Sequence, residues 1–144
     1  KKEFYDNGKL KSETRFKDGE LDGLYTWWYE SGEKKYEVLY KNGKKDGMEN
    51  GWYESGKKSK EYHYKNGKPV GLGNSWYESG VKLREYHYKN GEVEGLGTIW
   101  YESGRKKSEK HYENGIENGT RKEWNESETL TFQGNFVDGV EEIK

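Results

Sequence analysis

The sequence predicts an all-β protein, an elongated single-layer antiparallel sheet of stacked β-hairpin repeats with a 24-residue period. Three observations carry this. The phrase Trp-Tyr-Glu-Ser-Gly recurs at 28–32, 52–56, 76–80 and 100–104. An aromatic-Lys-Asn-Gly phrase follows in phase, with its glycine at Gly43, Gly67 and Gly91 and close variants at Gly19, Gly115 and Gly139. Between these turn signals, side chains alternate with period two, the signature of strands. A third glycine closes each unit at Gly23, Gly47, Gly71, Gly95 and Gly119. Three glycine phases held in register without an insertion mean that each unit is one supersecondary element stacked on the next.

Taken in order, residues 1–23 form a partial unit, with a truncated Tyr5-Asp6-Asn7-Gly8 phrase and alternation through Leu10, Ser12, Thr14 and Phe16. Full repeats follow at 24–47, 48–71, 72–95 and 96–119. In the third of these, Leu72 to Tyr77 makes one strand, Glu78-Ser79-Gly80 its turn, and Lys82 to Tyr88 the second strand. Asn90-Gly91 makes the next turn, because a type I′ hairpin turn needs positive φ at both central positions and Asn and Gly tolerate it best. The only proline, Pro69, lies beside a turn, where its missing N–H does least harm. Residues 120–144 break the pattern at Glu128, where the turn glycine is missing, and read as an atypical capping repeat richer in apolar residues. The chain is thus a single repeat array over 1–144. A helical reading fails, since three glycines and several aromatic residues per repeat leave no helical stripe.

If both turns are two-residue loops, facing follows from parity. One face carries Leu72, Asn74, Trp76, Leu83, Glu85 and His87. The other carries Tyr77, Lys82, Arg84, Tyr86 and Tyr88, with Gly73 leaving room. Rings on both faces favour a single layer over a sandwich.

Composition agrees. Leu, Ile, Val and Phe number only 21 of 144 residues, while 6 Trp and 13 Tyr supply burial that the aliphatics lack. The 26 basic and 27 acidic residues nearly cancel and are interleaved within each repeat. There is therefore no basic stripe for nucleic acid, and a membrane-lipid role is disfavoured. The chain contains no cysteine, which excludes disulfides and thiolate metal sites. It opens at Lys1, which fits either a trimmed chain or a mature protein freed of a signal peptide, so a secreted or surface location is suspected.

The Trp-Tyr-Glu-Ser-Gly phrase, followed by Glu-Tyr-His-Tyr-Lys-Asn-Gly-Lys and a glycine opening the next unit, resembles the variant MORN repeat of many bacterial proteins. The resemblance runs from Tyr5 to Gly139. It implies a twisted ribbon of successive hairpins that serves in protein interaction or scaffolding, in some bacterial cases at the surface or as an antitoxin-like protein, and it brings no catalytic residue. A weaker similarity, to choline-type cell-wall-binding repeats, lacks the Tyr-Lys-Asn-Gly half.

The repeated polar residues are the candidates for chemistry. His63, His87 and His111 occupy one position of successive repeats, about 9.5 Å apart, too far to share a zinc ion with ligands at ~2.1 Å. They read as cross-strand partners of neighbouring acids. Glu13, Glu37, Glu61, Glu85 and Glu109 form a ladder, whereas catalytic carboxylate pairs are asymmetric. These glutamates read as partners of the lysine ladder. The serines of the Glu-Ser-Gly turns lack a nucleophile elbow, and Gly71-Leu72-Gly73 and Gly95-Leu96-Gly97 read as close approach between hairpins. The expectation is therefore a non-enzymatic chain without catalytic, metal or cofactor residues and without any unique polar cluster. Its candidate interaction surface is Trp28, Trp52, Trp76 and Trp100 with Tyr29, Tyr53, Tyr77, Tyr101, Tyr64 and Tyr88. The expected partner is a protein. Carbohydrate or cell-wall binding by the aromatic rows and inhibition of a partner toxin stand as alternatives, and homodimerisation by edge or face pairing stays open.

Overall fold

The computed structural model describes residues 1–143. It is all-β: fourteen strands form one antiparallel sheet that follows chain order from Lys2–Phe4 to Val140–Glu141 and does not close on itself. A separate two-stranded hairpin, Phe16–Lys17 with Glu20–Leu21, lies off this sheet.

The two turn types set the register. At the Asn-Gly turns that end on Gly43, Gly67, Gly91 and Gly115 both residues hold positive φ, for example Asn66 at 49° and Gly67 at 81°, and Lys65 pairs directly with Lys68. This is the two-residue type I′ loop expected of that dipeptide. The Glu-Ser-Gly turn is longer than expected. Tyr77 N–H donates to Val81 O at 2.8 Å and Gly80 N–H to Tyr77 O at 2.9 Å, so three residues form the loop and Gly80 (φ 92°) supplies the left-handed position.

The extra loop residue would reverse the facing of the returning strand, but a bulge compensates. Lys82 pairs with Trp76 and Arg84 with Ser75, leaving Leu83 as the additional residue. In the preceding repeat a Cβ placed on Gly51 would lie 2.8 Å from both Ser59 Oγ and Lys60 Cγ. Both bulge residues therefore share the face of the residue opposite them. This corrects the expected facing at two positions: Lys82 joins Trp76 and Glu85, and Leu83 joins Arg84 and Tyr86. Beyond the bulge the expected facing holds, because loop and bulge each add one residue.

The two faces differ in chemistry. The first carries the tryptophan row, an ion-pair ladder (Lys34–Glu37, Lys58–Glu61, Lys82–Glu85 and Lys106–Glu109) and the exposed Leu24, Leu72 and Leu96. The second holds the densest packing. Tyr62 and Tyr88 reach across the strand Lys68–Trp76 and meet edge to face at 6.1 Å. Tyr86 and Tyr112 do the same in the next repeat. The glycine beneath each pair permits this, since a Cβ on Gly73 would lie 2.6 Å from Tyr62 Cδ1 and 2.8 Å from Tyr88 Cε2. Gly73 and Gly97 thus serve close approach of rings to backbone rather than of hairpin to hairpin.

Candidate interaction surface

The tryptophans of the recurring phrase sit at the strand ends beside the three-residue loops. Trp28, Trp52, Trp76 and Trp100 are all half-buried, as are Tyr29, Tyr53, Tyr77, Tyr101, Tyr64 and Tyr88. A single layer explains this: the sheet backs one side of each ring, and no second layer covers the other. Lysines dress these rings, with Lys34 Nζ 5.5 Å from the Trp52 ring centre and Lys82 Nζ 5.9 Å from that of Trp100.

The tyrosine that follows each tryptophan joins one repeat to the next. Tyr29 Oη donates to Trp52 O at 2.8 Å, Tyr53 to Trp76 at 2.6 Å, Tyr77 to Trp100 at 2.9 Å and Tyr101 to Trp124 at 2.9 Å. Tyr5 makes the same bond to Trp28 at 2.6 Å. The hydroxyl protons of Tyr29, Tyr53, Tyr77 and Tyr101 are thus committed within the ribbon.

Among the repeated polar groups, the glutamate ladder pairs with lysines. The three histidines are exposed, and His111 Nδ1 lies 2.9 Å from the carbonyl of Thr120 rather than near an acid.

One expectation fails: the chain does contain a unique polar cluster. Glu49 occupies the place that Gly73 and Gly97 hold in later repeats, and it is only 3% exposed. Its Oε1 accepts hydrogen bonds from Tyr36 Oη at 2.5 Å, Lys45 Nζ at 3.0 Å and Lys60 Nζ at 3.1 Å. Burial works against the carboxylate, but the Tyr36 and Lys45 hydrogen bonds and the nearby Lys60 charge outweigh it and hold its pKa down to about 2. The same cluster pushes the Tyr36 phenol up, through burial first and then the Glu49 hydrogen bond. Tyr64, whose ring centre lies 4.7 Å from Lys45 Nζ, is raised likewise. A side chain fits here because Val38, fully buried, stands where Tyr62 and Tyr86 stand in the following repeats. The sequence carried the signal: Glu49-Asn50-Gly51 replaces Gly73-Asn74-Ser75 in the aligned frame.

At the far end of the array the same position holds Arg121. Its guanidinium bonds Glu123 and lies 5.3 Å and 5.5 Å from the ring centres of Phe132 and Phe136. Next to Glu49 lies a cleft of about 400 Å³ that includes Gly51, walled by Tyr25, Trp27, Tyr29, Tyr36 and Trp52 and bordered by Lys35, Lys60 and Ser59. A second cleft, of about 590 Å³, lies between Trp100 and Trp124 beside Arg105 and Lys106.

An open ribbon of stacked hairpins, each tied to the next by a tyrosine on a backbone carbonyl, defines a β-hairpin repeat protein. The family model for the MORN repeat variant matches five times, at residues 1–18, 21–42, 45–66, 69–90 and 93–114. The chain belongs to the MORN repeat family. No curated protein matches it. Members of this family are in general modules of protein or membrane interaction rather than catalysts.

Proposed function

We propose that this chain is a non-enzymatic scaffold whose tryptophan face docks another protein. The observation that carries the reading is the uncovered row Trp28, Trp52, Trp76 and Trp100, flanked by the exposed Leu72 and Leu96 and by neutralised Lys–Glu pairs. Large rings that are half-buried without an opposing layer combine a fixed position with remaining apolar surface, the quality of interface anchors. The charge ladder beside them supplies a polar rim of low net charge.

The test is affinity capture with the intact chain as bait. The double variant Leu72→Gln, Leu96→Gln removes exposed apolar surface without touching the packed rings. The variant Trp76→Ala, Trp100→Ala removes the anchors, with far-ultraviolet circular dichroism reporting the fold. A partner retained by the parent and lost in both folded variants supports the reading. A partner retained equally by all three places docking elsewhere and refutes it.

A further inference from the structure

We propose that the cleft at Gly51 is a binding site for an acidic saccharide, with the carboxylate of a uronic acid unit held by Lys35 and Lys60 and the sugar ring stacked on the aromatic walls. The cleft arises where this repeat departs from its neighbours. Gly51 stands where Trp27, Ser75 and Ile99 stand in the other full repeats, and without a Cβ there the side chains of Ser59 and Lys60 settle over its backbone beside the aromatic walls. Its volume, about 400 Å³, lies within the range of small-molecule sites.

The charge of the cleft selects an anion. Lys35 Nζ lies 5.3 Å and 5.2 Å from the ring centres of Trp27 and Tyr29, and it has no carboxylate partner among the described residues. Lys60 Nζ lies 4.8 Å from the Tyr36 ring centre and shares one oxygen of Glu49 with Lys45. Lys45 and Lys60 thus share the one Glu49 carboxylate, which leaves positive charge in excess. Glu49, almost wholly buried beneath them, holds Lys60 and the Tyr36 hydroxyl in place before any ligand arrives, so little ordering remains to be done on binding. A carboxylate arriving between Lys35 and Lys60 forms charge-assisted hydrogen bonds to both. Ser59 offers a hydroxyl at the rim.

The walls select a ring over an extended peptide. A peptide in such a cleft must satisfy its own backbone N–H and C=O groups, which it usually does by adding to a free strand edge. The strands bordering the cleft, Gly23–Trp28, Lys34–Lys41, Lys44–Trp52 and Lys58–Lys65, are each paired within the sheet on both sides. A pyranose has no such requirement. Its flat C–H face packs on indole and phenol faces while its hydroxyls stay in water.

The test is calorimetric titration of the full chain with a galacturonic acid tetrasaccharide, its neutral galactose counterpart, and a hexaglutamate peptide, at two salt concentrations. The substitution Lys35→Gln acts on a side chain outside the Glu49 cluster, and Lys107→Gln alters the lysine at the same place in a later repeat, where the equivalent cleft is smaller, about 290 Å³, and carries Glu123 in place of Gly51. The expected result is saturable binding of the acidic saccharide that weakens with salt. Binding should fall roughly tenfold or more for the neutral sugar, for the peptide and for Lys35→Gln, and stay unchanged in Lys107→Gln. Equal binding of the neutral sugar overturns the role of the carboxylate, equal binding of the peptide overturns the saccharide, and an equal loss in Lys107→Gln overturns the location. An absence of heat and of tryptophan fluorescence change at millimolar saccharide overturns the proposal altogether.

Discussion

Gly73 and Tyr62 are coupled, and the coupling has a sign that can be measured. The backbone at Gly73 lies outside the left-handed region, so alanine is conformationally acceptable there and on its own gains about 0.5–1 kcal/mol through reduced freedom of the unfolded chain. Sterically it is not acceptable. The added Cβ meets Tyr62 Cδ1 at 2.6 Å and Tyr88 Cε2 at 2.8 Å, about 1 Å inside normal carbon contact. The rings must lift away, at about 1–3 kcal/mol for overpacking and up to about 1 kcal/mol more for loss of the edge-to-face pair. Gly73→Ala should therefore destabilise by about 1–2 kcal/mol net.

In a Tyr62→Val background the larger obstacle is gone, as in the natural Val38 and Glu49 combination. There Gly73→Ala should become neutral or stabilising. The double-mutant cycle then yields a coupling of about 2 kcal/mol. Urea unfolding followed by tryptophan fluorescence and circular dichroism measures it, provided the m-value is shared, since repeat arrays can lose cooperativity. Additivity within about 0.5 kcal/mol would refute the claim that ring size at one position dictates glycine at the other.

Other outcomes follow from single groups. The Glu49 carboxyl lies at about 2 against an ordinary 4.5, so its contribution is fully present above pH 4.5 and is lost as pH falls toward 2. Its size is about 3 kcal/mol, and the stability gap between the parent and Glu49→Gln should close over that interval in urea titrations at stepped pH. Burial pushes the Tyr112 phenol up to about 12; absorbance at alkaline pH should show a tyrosine titrating there, missing in Tyr112→Phe. Tyr77→Phe removes the Tyr77 Oη bond to Trp100 O and should cost about 1 kcal/mol, with a similar loss for Tyr53→Phe. Glu128 holds φ at 62° where the other loops have glycine, so Glu128→Gly should raise stability by about 0.5–1 kcal/mol, net of glycine's entropy cost. A thermal melt that moves downward would contradict it.

The repeats were legible because each rests on local chemistry: Asn-Gly dictates its turn whatever surrounds it, and a period of two dictates facing. The face assignment of Lys82 and Leu83 was not legible. It depends on a three-residue loop and a bulge that offset each other, and parity alone cannot count two insertions of opposite effect. The candidate rings recur at one place in each repeat and so stand out in the sequence, but their hydroxyl partners were hidden, because the tyrosine and the carbonyl it bonds belong to successive repeats and are 23 residues apart. Glu49 escaped for the opposite reason. Reading by repetition gives weight to what recurs, whereas the chemistry that distinguishes this ribbon lies where the repeat is broken. A buried carboxylate costs several kcal/mol unless it is compensated, so its presence in place of a glycine marks a position where Tyr36, Lys45 and Lys60 were brought in together. The same comparison, applied along the frame, selects Arg121 as the second such position, and it too is ringed by aromatic side chains. In an array of near-identical units, a ligand can distinguish one repeat from the next only at substitutions of this kind.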